Sequence, residues 1–420
     1  MKLVNVIILN GISVLIRILT LLGINKAIAF YTGPSSFALI SQLQNVIAMA
    51  LVFPSNAING ATVKLIASNK GNEIEIQKIS QTSTSIMFFF ALAIGGGGLV
   101  FCRSISLLIF KDDSYAYIVK IFAASIFFFS LNSFFISLLN GRGEYRKYII
   151  SNILGNIITL FLSSILIIFY HIDGALIALV TNQVFNLFAT ALLVKKTKWF
   201  KFKKYIAIKN FYYIKSIMHY SLMPIFAALI MPISLTVVRN FIISEAGWGD
   251  AGVWDALWKT SNVYLMLITL TLNIYLLPKL SSLFDSKLIL QEILKTSAAV
   301  CIIMFCIAII IFFFKDVLIR ILFTDKFLRV SDFIMLQIIG DTLKMLSWII
   351  AYYMLSKTRV KKYIFCESIQ WGGFILLCFI LSNENILERV MFAYITSQAV
   401  YFLTLVGLFI PEVKHENVKL

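Results

Sequence analysis

The strongest constraint on this chain is the way its apolar residues are distributed, because they form long and nearly uninterrupted runs. A helix needs about 20 consecutive apolar residues to cross the hydrocarbon core of a bilayer. The runs are continuous rather than alternating, which favours helices over the strands of a membrane barrel. The sequence therefore predicts an all-α polytopic membrane protein with twelve spanning helices. They fall at about residues 4–30, 37–67, 82–102, 115–140, 149–170, 175–194, 216–240, 257–280, 297–314, 330–355, 364–382 and 391–410.

Composition excludes the soluble classes of protein. Of the 420 residues, 60% are hydrophobic and 14% are charged, whereas an ordinary soluble domain has about 25% charged residues. The net charge of +17 would suggest nucleic acid as a partner of a soluble protein. In a membrane protein, Lys and Arg collect instead on the cytoplasmic loops. We therefore expect membrane lipid and no nucleic acid around this chain.

The positions of Lys and Arg predict the orientation of the helices. If the N-terminus is cytoplasmic, the segments on that side carry 21 basic residues and the opposite loops carry 7. This asymmetry places both termini in the cytoplasm. The run at 4–30 is too long for the core of a signal peptide, so we interpret it as the first spanning helix.

The most basic stretch, KKTKWFKFKKYIAIK at 195–209, lies between the sixth and seventh runs. It divides the chain into an N-terminal six-helix bundle at 1–194, a basic cytoplasmic linker at 195–210 and a C-terminal six-helix bundle at 211–420. Six helices in each half predict parallel repeats, related by an axis along the membrane normal. The linker pattern favours a solvated segment that sets topology and binds anionic lipid headgroups. Recruitment of a partner or substrate is the alternative.

Charged residues inside the apolar runs are the candidate functional residues. Each costs roughly 2.5–3.5 kcal/mol at a helix centre, so such groups face a protein interior or a water-filled cavity. Helical phase groups polar side chains into stripes on helices one, two, eight and ten. One stripe alone could reflect interhelical hydrogen bonds, but four together favour a shared, net cationic cavity. Its expected ligand is an anion such as phosphate or pyrophosphate. The charged candidates are Arg17, Lys26, Lys64, Arg239, Asp255, Lys259, Asp341, Lys344 and Glu367.

Four stretches carry a family resemblance. They are similar to the Wzx-type flippases of Gram-negative bacteria, in the branch that includes the enterobacterial common antigen flippase and the O-antigen translocases. This family belongs to the MOP exporter superfamily. The stretches are LIRILTLLGINKAIAFYTGP (15–34), GVWDALWKTSNVYLMLITLTLNIYLLPKLSSL (252–283), DFIMLQIIGDTLKMLSWIIAYYMLSK (332–357) and KYIFCESIQ (362–370).

The resemblance implies two six-helix bundles around a cationic cavity, a MATE-like fold in the bacterial inner membrane. It implies export of undecaprenyl-pyrophosphate-linked oligosaccharide from the cytoplasmic to the periplasmic leaflet, by alternating access, for lipopolysaccharide biosynthesis. Ion coupling is expected. A polysaccharide polymerase and a chain-length regulator are the implied protein partners.

The resemblance also places Arg17, Lys26, Arg239 and the Asp341/Lys344 pair at cavity positions of the family. We interpret Arg17, Arg239 and Lys344 as clamps for the pyrophosphate. Asp341 precedes Lys344 by three residues on the same helix face, where it either holds that lysine in place while the cavity is empty or forms a purely structural ion pair with it. The predicted outer guides are Lys26, Lys64 and Lys259, and the ion-coupling candidates are Asp341 and Glu367.

Three other functions remain open at this stage. A multidrug or small-molecule cation antiporter uses the same scaffold, but the basic excess counts against a cationic cargo. A membrane polymerase or glycosyltransferase of the same pathway needs a large external or carboxylate-rich loop, and the predicted loops are short. A passive scramblase or assembly scaffold is the third. No catalytic triad, Walker motif or metal-ligand spacing occurs, so we expect no enzymatic activity, cofactor or metal.

Overall fold

The computed structural model describes residues 3–197, 199–206, 210–283, 285–357 and 359–416. In these ranges the chain is helical, with short connections and no β-strand. Lys198 and residues 207–209 of the predicted basic linker lie outside the described residues. The helices are α1 (Leu3–Ala50), α2 (Ala57–Ser68), α3 (Glu73–Val100), α4 (Cys102–Phe110), α5 (Ala116–Gly141), α6 (Tyr145–Lys195), α7 (Phe202–Tyr205), α8 (Ile214–Thr271), α9 (Leu277–Ser282), α10 (Ser286–Leu322), α11 (Val330–Ser356), α12 (Val360–Ile380) and α13 (Ile386–Glu416).

Within the described residues, nine helices are long and apolar enough to cross a membrane. The prediction of an all-α, multi-pass membrane protein is therefore confirmed. Three of the nine, α1, α6 and α8, are long enough for two crossings, and each contains one residue with non-helical backbone angles. A straight helix of 48 residues, the length of α1, would extend about 72 Å, more than twice the roughly 30 Å of the hydrocarbon core. If each of the three long helices supplies two crossings, the nine helices are consistent with the twelve predicted spans.

Two of the long helices fold back on themselves at a single residue. In α6, His171 has φ 51° and ψ −121°, and a Cβ added to Gly174 would collide with the Leu166 carbonyl oxygen. Eight residues of straight helix would separate those positions by about 12 Å. In α8, Arg239 and Asp255 are in direct contact across Gly247. The residues 241–256, which the predicted spans leave as a connecting loop, are instead helical on both sides of Gly247.

Gly33 in α1 and Gly247 in α8 share one unusual backbone conformation. Their φ and ψ angles are 78° and −177° for Gly33, and 83° and 176° for Gly247. This region of φ/ψ space is essentially restricted to glycine. In each half a π-helical turn follows, at Val52–Asn56 and Leu272–Leu276. The two halves therefore repeat a glycine turn and a π turn in the same order.

Replacing Gly247 with alanine is expected to destabilise the protein by about 1–3 kcal/mol, because an L-residue is strained in this conformation. No atom lies within 4 Å of the added Cβ, so the cost is purely that of the backbone. Gly60→Ala is the matched control, since Gly60 is helical and equally uncrowded. That change should stabilise by about 0.5–1 kcal/mol. Thermal unfolding in detergent measures both, and an unchanged midpoint for Gly247→Ala would contradict the strain.

The chain forms two compact units, Met1–Pro232 and Ile233–Leu420. The division falls within α8, at a proline that cannot donate a backbone hydrogen bond. In the first unit, a core of side chains from α2, α3 and α5 includes Ile58, Ile79 and Phe134. The core of the second unit is more aromatic. Its fully buried large side chains include Trp254, Tyr353, Tyr394 and Tyr401.

Candidate functional site

The second unit contains a buried ion pair between Arg239 and Asp255. The Arg239 Nε and Nη2 atoms donate to the two carboxylate oxygens at 2.8 and 2.6 Å. Arg239 and Asp255 are 2% and 3% exposed, and the guanidinium also lies 5.6 Å from the Trp254 ring centroid. Such a two-pronged contact is the strongest form of Arg–carboxylate interaction. Arg239, predicted as a pyrophosphate clamp, is thus bound to an internal anion in this structure.

Lys259 belongs to the same region of the second unit. It lies one helical turn after Asp255 on α8, and its Nζ atom is buried. The structure therefore brings together two of the predicted basic residues, Arg239 and Lys259, around one carboxylate. The formal charge of these three residues is +1, and their role in anion binding stays a prediction.

Asp341 on α11 is fully buried and accepts hydrogen bonds from four neutral donors. The Ser261 and Tyr264 hydroxyls donate to Oδ2, both at 2.5 Å. The Gln337 amide and the Tyr394 hydroxyl donate to Oδ1 at 3.2 and 2.7 Å. The donors come from α8, α11 and α13, so this carboxylate connects three helices of the unit.

Lys344 lies between two indole rings. Its Nζ is 5.0 Å from the centroid of Trp258 and 5.1 Å from that of Trp348, and the residue is 2% exposed. Cation–π contacts of this kind contribute about 0.5–2 kcal/mol each. Among the described residues, no ion pair joins this ammonium to Asp341 or Glu367. Instead of pairing with each other, Lys344 contacts two aromatic rings and Asp341 accepts hydrogen bonds from neutral donors.

Glu367 on α12 is held in a similar way to Asp341, by fewer donors. The Tyr401 hydroxyl donates to Oε1 at 2.8 Å, and the Trp371 indole donates to Oε2 at 3.3 Å. The residue is 6% exposed. Both ion-coupling candidates are thus buried carboxylates with tyrosine donors.

The three predicted bases of the first unit are more open. Arg17 and Lys64 are exposed, and Lys26 is half-buried. The Lys64 ammonium lies 3.9 Å from the centroid of the Tyr220 ring. Arg17 and Lys26 lie on α1, and Lys64 lies on α2. They stay predictions as substrate contacts.

The described part of the basic segment folds onto the first unit. Tyr205 is fully buried, and its hydroxyl donates to Glu73. The Arg142 guanidinium contacts Glu73 and the Tyr205 hydroxyl, both at 2.5 Å. The Trp199 indole donates to Glu144 at 3.1 Å and lowers the pKa of that carboxyl. The exposed side chains of the segment are Lys195, Lys196, Lys201, Phe202, Lys203 and Lys204.

Sequence reasoning missed a polar pocket inside the first unit. It has a volume of about 320 Å³ and is lined by residues of α1, the following π turn, α5 and α6. The predicted polar stripe on helix two indicated part of this pocket, because it includes the lining residue Asn56. An additional signal was the presence of amide side chains in the middle of the runs 115–140 and 175–194. The polar lining residues are Gln44, Ser55, Asn56, Asn132, Ser133, Asn182 and Gln183.

Comparison with known proteins assigns the fold. The chain is similar to an inward-facing multidrug resistance MATE family transporter of the MOP superfamily, with a TM-score of 0.79 at 13% identity, covering 95% of each chain. It is also similar to the lipid II flippase MurJ in an inward closed conformation, with a TM-score of 0.72 at 18% identity, covering 96% of this chain and 87% of that one. The predicted MATE-like fold is confirmed.

Sequence comparison adds a relative and a family. The lipid III flippase of Escherichia coli (strain K12) is 21% identical over 407 residues, which are 95% of this chain and 96% of the relative. The family described as "Polysaccharide biosynthesis protein" matches residues 28–332. Since that match covers well over half of its residues, the chain belongs to the polysaccharide biosynthesis protein family.

Proposed function

We propose that this protein is a flippase for a lipid-linked oligosaccharide. It moves an undecaprenyl-pyrophosphate-linked unit from the cytoplasmic to the periplasmic leaflet of the bacterial inner membrane. The observation that carries the proposal is similarity to a lipid III flippase along 95% of the chain. The family match supports the same pathway. Within the proposal the protein is a Wzx-type carrier rather than an enzyme, and its cargo is an O-antigen or enterobacterial common antigen repeat unit.

The cargo presents one strongly charged group, the diphosphate, which cannot cross lipid without compensation. Arg239 is one candidate to bind it, because a phosphate oxygen pair can replace the two Asp255 oxygens on the guanidinium, while Lys259, one helical turn from Asp255, remains to balance the displaced carboxylate. Lys344 is a second candidate, since its ammonium makes cation–π contacts with two indole rings and, among the described residues, no ion pair. The exposed Arg17 and the half-buried Lys26 supply further positive charge along α1.

Transport proceeds by alternating access, in which the headgroup meets water on one side of the membrane and then on the other. The undecaprenyl tail stays in lipid. Asp341 and Glu367 are the candidates for the proton or Na⁺ that couples the cycle to an ion gradient. Each is a buried carboxylate whose hydrogen bonds must rearrange when a cation arrives.

A multidrug antiporter is the second candidate, favoured by the MATE-like fold with its TM-score of 0.79. Cationic drugs require acidic binding groups. The first unit's predicted contacts are instead Arg17, Lys26 and Lys64, and the net charge of the chain is +17. Charge therefore favours the anionic lipid-linked cargo.

Reconstitution in liposomes tests the proposal. We expect the protein to move undecaprenyl-pyrophosphate glycans to the opposite leaflet faster than protein-free liposomes do. Arg17→Glu should slow transport about tenfold or more, because one charge-assisted contact contributes about 1.5–3 kcal/mol, and Arg17→Lys should retain most of it. Transport of cationic drugs without transport of the lipid would favour the antiporter instead.

A further inference from the structure

The pocket of the first unit is lined by seven polar and five apolar side chains, all within runs that are predicted to span the membrane. Its lining residues come from the central parts of α5 and the C-terminal arm of α6, and from the end of α1 with the π turn after it. None of the described residues that line it is charged. Amide groups at this depth are expensive unless they are hydrogen-bonded. Such a concentration of them therefore calls for a polar occupant.

Two carbonyl oxygens in the pocket lack a hydrogen-bond partner. Asn132 is 2% exposed, and its Nδ2 donates to Gln183 Oε1 at 2.6 Å, but its Oδ1 accepts no hydrogen bond. The Oδ1 of Asn182 is buried and equally unpartnered. Leaving a buried acceptor unsatisfied costs about 1–3 kcal/mol. Both residues line the pocket, so a turn of either side-chain amide would bring its carbonyl oxygen to a donor on a bound molecule.

The π turn shapes one wall of this pocket. It places Ser55 and Asn56 at the lining. The Ser55 hydroxyl donates to Ser133 at 2.6 Å, and Asn59 donates to the same hydroxyl oxygen. This hydrogen-bonded contact between the turn and α5 fixes the wall in place. Single π turns inside helices occur frequently at functional sites.

The chemistry of the lining selects the occupant. Carboxamides and hydroxyls offer both donors and acceptors, which matches the hydroxyl and acetamido groups of a sugar. A phosphate needs positive charge, which the pocket lacks. Phe129 adds an apolar ring to the lining, suitable for the C–H face of a sugar. The volume of about 320 Å³ lies at the lower end of the range for small-molecule sites, roughly 300–1,000 Å³.

We propose that this pocket binds a sugar unit of the cargo. The proposal rests on the proposed flippase function and adds a division of labour to it. Neutral amides of the first unit recognise the glycan, whereas the basic residues recognise the diphosphate. Asn132 and Asn182 are the residues that contact the sugar, through their unpartnered carbonyl oxygens.

The variants that test the pocket are Asn132→Leu and Asn182→Leu. Leucine matches asparagine approximately in size and is tolerated in a membrane helix. Asn186→Leu is the matched control. Asn186 lies one turn after Asn182 on α6, is 8% exposed and also has an unpartnered carbonyl oxygen, but it does not line the pocket. Thermal unfolding of each variant shows whether it folds like the parent.

The readout is the affinity of the full-length protein in lipid nanodiscs for two kinds of probe. One is undecaprenyl pyrophosphate without sugar, and the other is the same lipid carrying one to three sugars. We expect the parent to bind the best glycosylated probe at least about tenfold more tightly. That ratio should fall to about one in Asn132→Leu and Asn182→Leu and persist in Asn186→Leu. Affinity for the sugar-free lipid should stay unchanged in all three.

Three other results would each overturn the pocket proposal. If the parent binds every probe equally, the pocket proposal is wrong while binding of the diphosphate stands. If the parent binds no probe, the flippase proposal fails and the sugar assignment fails with it. A ratio that is unchanged in Asn132→Leu and Asn182→Leu, or lost equally in Asn186→Leu, overturns the assignment of the sugar to this pocket.

Discussion

Replacing Arg239 with methionine is expected to destabilise the protein by about 3–5 kcal/mol, because it leaves a buried carboxylate without its guanidinium. Asp255 now receives hydrogen bonds of 2.8 and 2.6 Å from Arg239. Methionine matches the aliphatic stem of arginine but cannot neutralise the carboxylate. The measurement is the midpoint of thermal unfolding in detergent, together with the yield of folded protein.

The double variant Arg239→Met with Asp255→Leu separates structure from function. It removes one positive and one negative charge, so the net charge around Lys259 stays the same. Replacing a buried pair by apolar residues is often neutral or stabilising, and we expect most of the lost stability to return. If Arg239 binds the diphosphate, the stable double variant still fails to transport. Recovery of transport with stability would mean that the pair is purely structural.

An exposed pair in the same unit serves as the control. Arg329 contacts Asp250 at 2.5 Å, with side chains 55% and 21% exposed. Solvent screens such pairs, so Arg329→Met should cost less than about 1 kcal/mol. Equal losses for Arg329→Met and Arg239→Met would contradict the role assigned to burial.

The membrane-spanning character of the chain was predictable because it depends on the total hydropathy of long segments and not on single residues. Twenty apolar residues in a row have few alternatives to a spanning helix, whatever their order. The turns depend on single residues instead. Polar residues at 241–256 suggested a loop, yet the helices continue to Gly247 and resume directly after it. One glycine with φ 83° reverses the chain, and hydropathy carries no information about such a torsion angle.

The buried charges were also predictable, but their partners were not. An arginine or aspartate within an apolar run must find an interior partner, and this placed Arg239, Asp341 and Lys344 among the candidates. Arg239 and Asp255 meet only because the helix reverses between them. Helical phase paired Asp341 with Lys344, whereas tyrosine and serine hydroxyls from other helices take the carboxylate. Contacts across helices require packing that a single sequence does not contain.

Asp341 is the second position where we expect a large effect. Asp341→Leu removes the acceptor of four buried donors, Ser261, Tyr264, Gln337 and Tyr394. Because each unsatisfied donor costs about 1–3 kcal/mol, the loss of stability should reach at least about 4 kcal/mol. Asp341→Asn should cost less, since hydroxyl groups can rotate to accept from the new amide. The midpoint of thermal unfolding distinguishes the two variants. Equal midpoints would contradict the conclusion that four hydrogen bonds to Asp341 stabilise the protein.

The charge-neutral variants also test ion coupling in proteoliposomes. Asp341→Asn and Glu367→Gln each keep the shape of the side chain. If Asp341 carries the coupling ion, Asp341→Asn transports at the same rate with and without a proton or Na⁺ gradient, while Glu367→Gln still responds to the gradient. The opposite pattern assigns the ion to Glu367. If both variants respond to the gradient as the parent does, neither carboxylate is the coupling site.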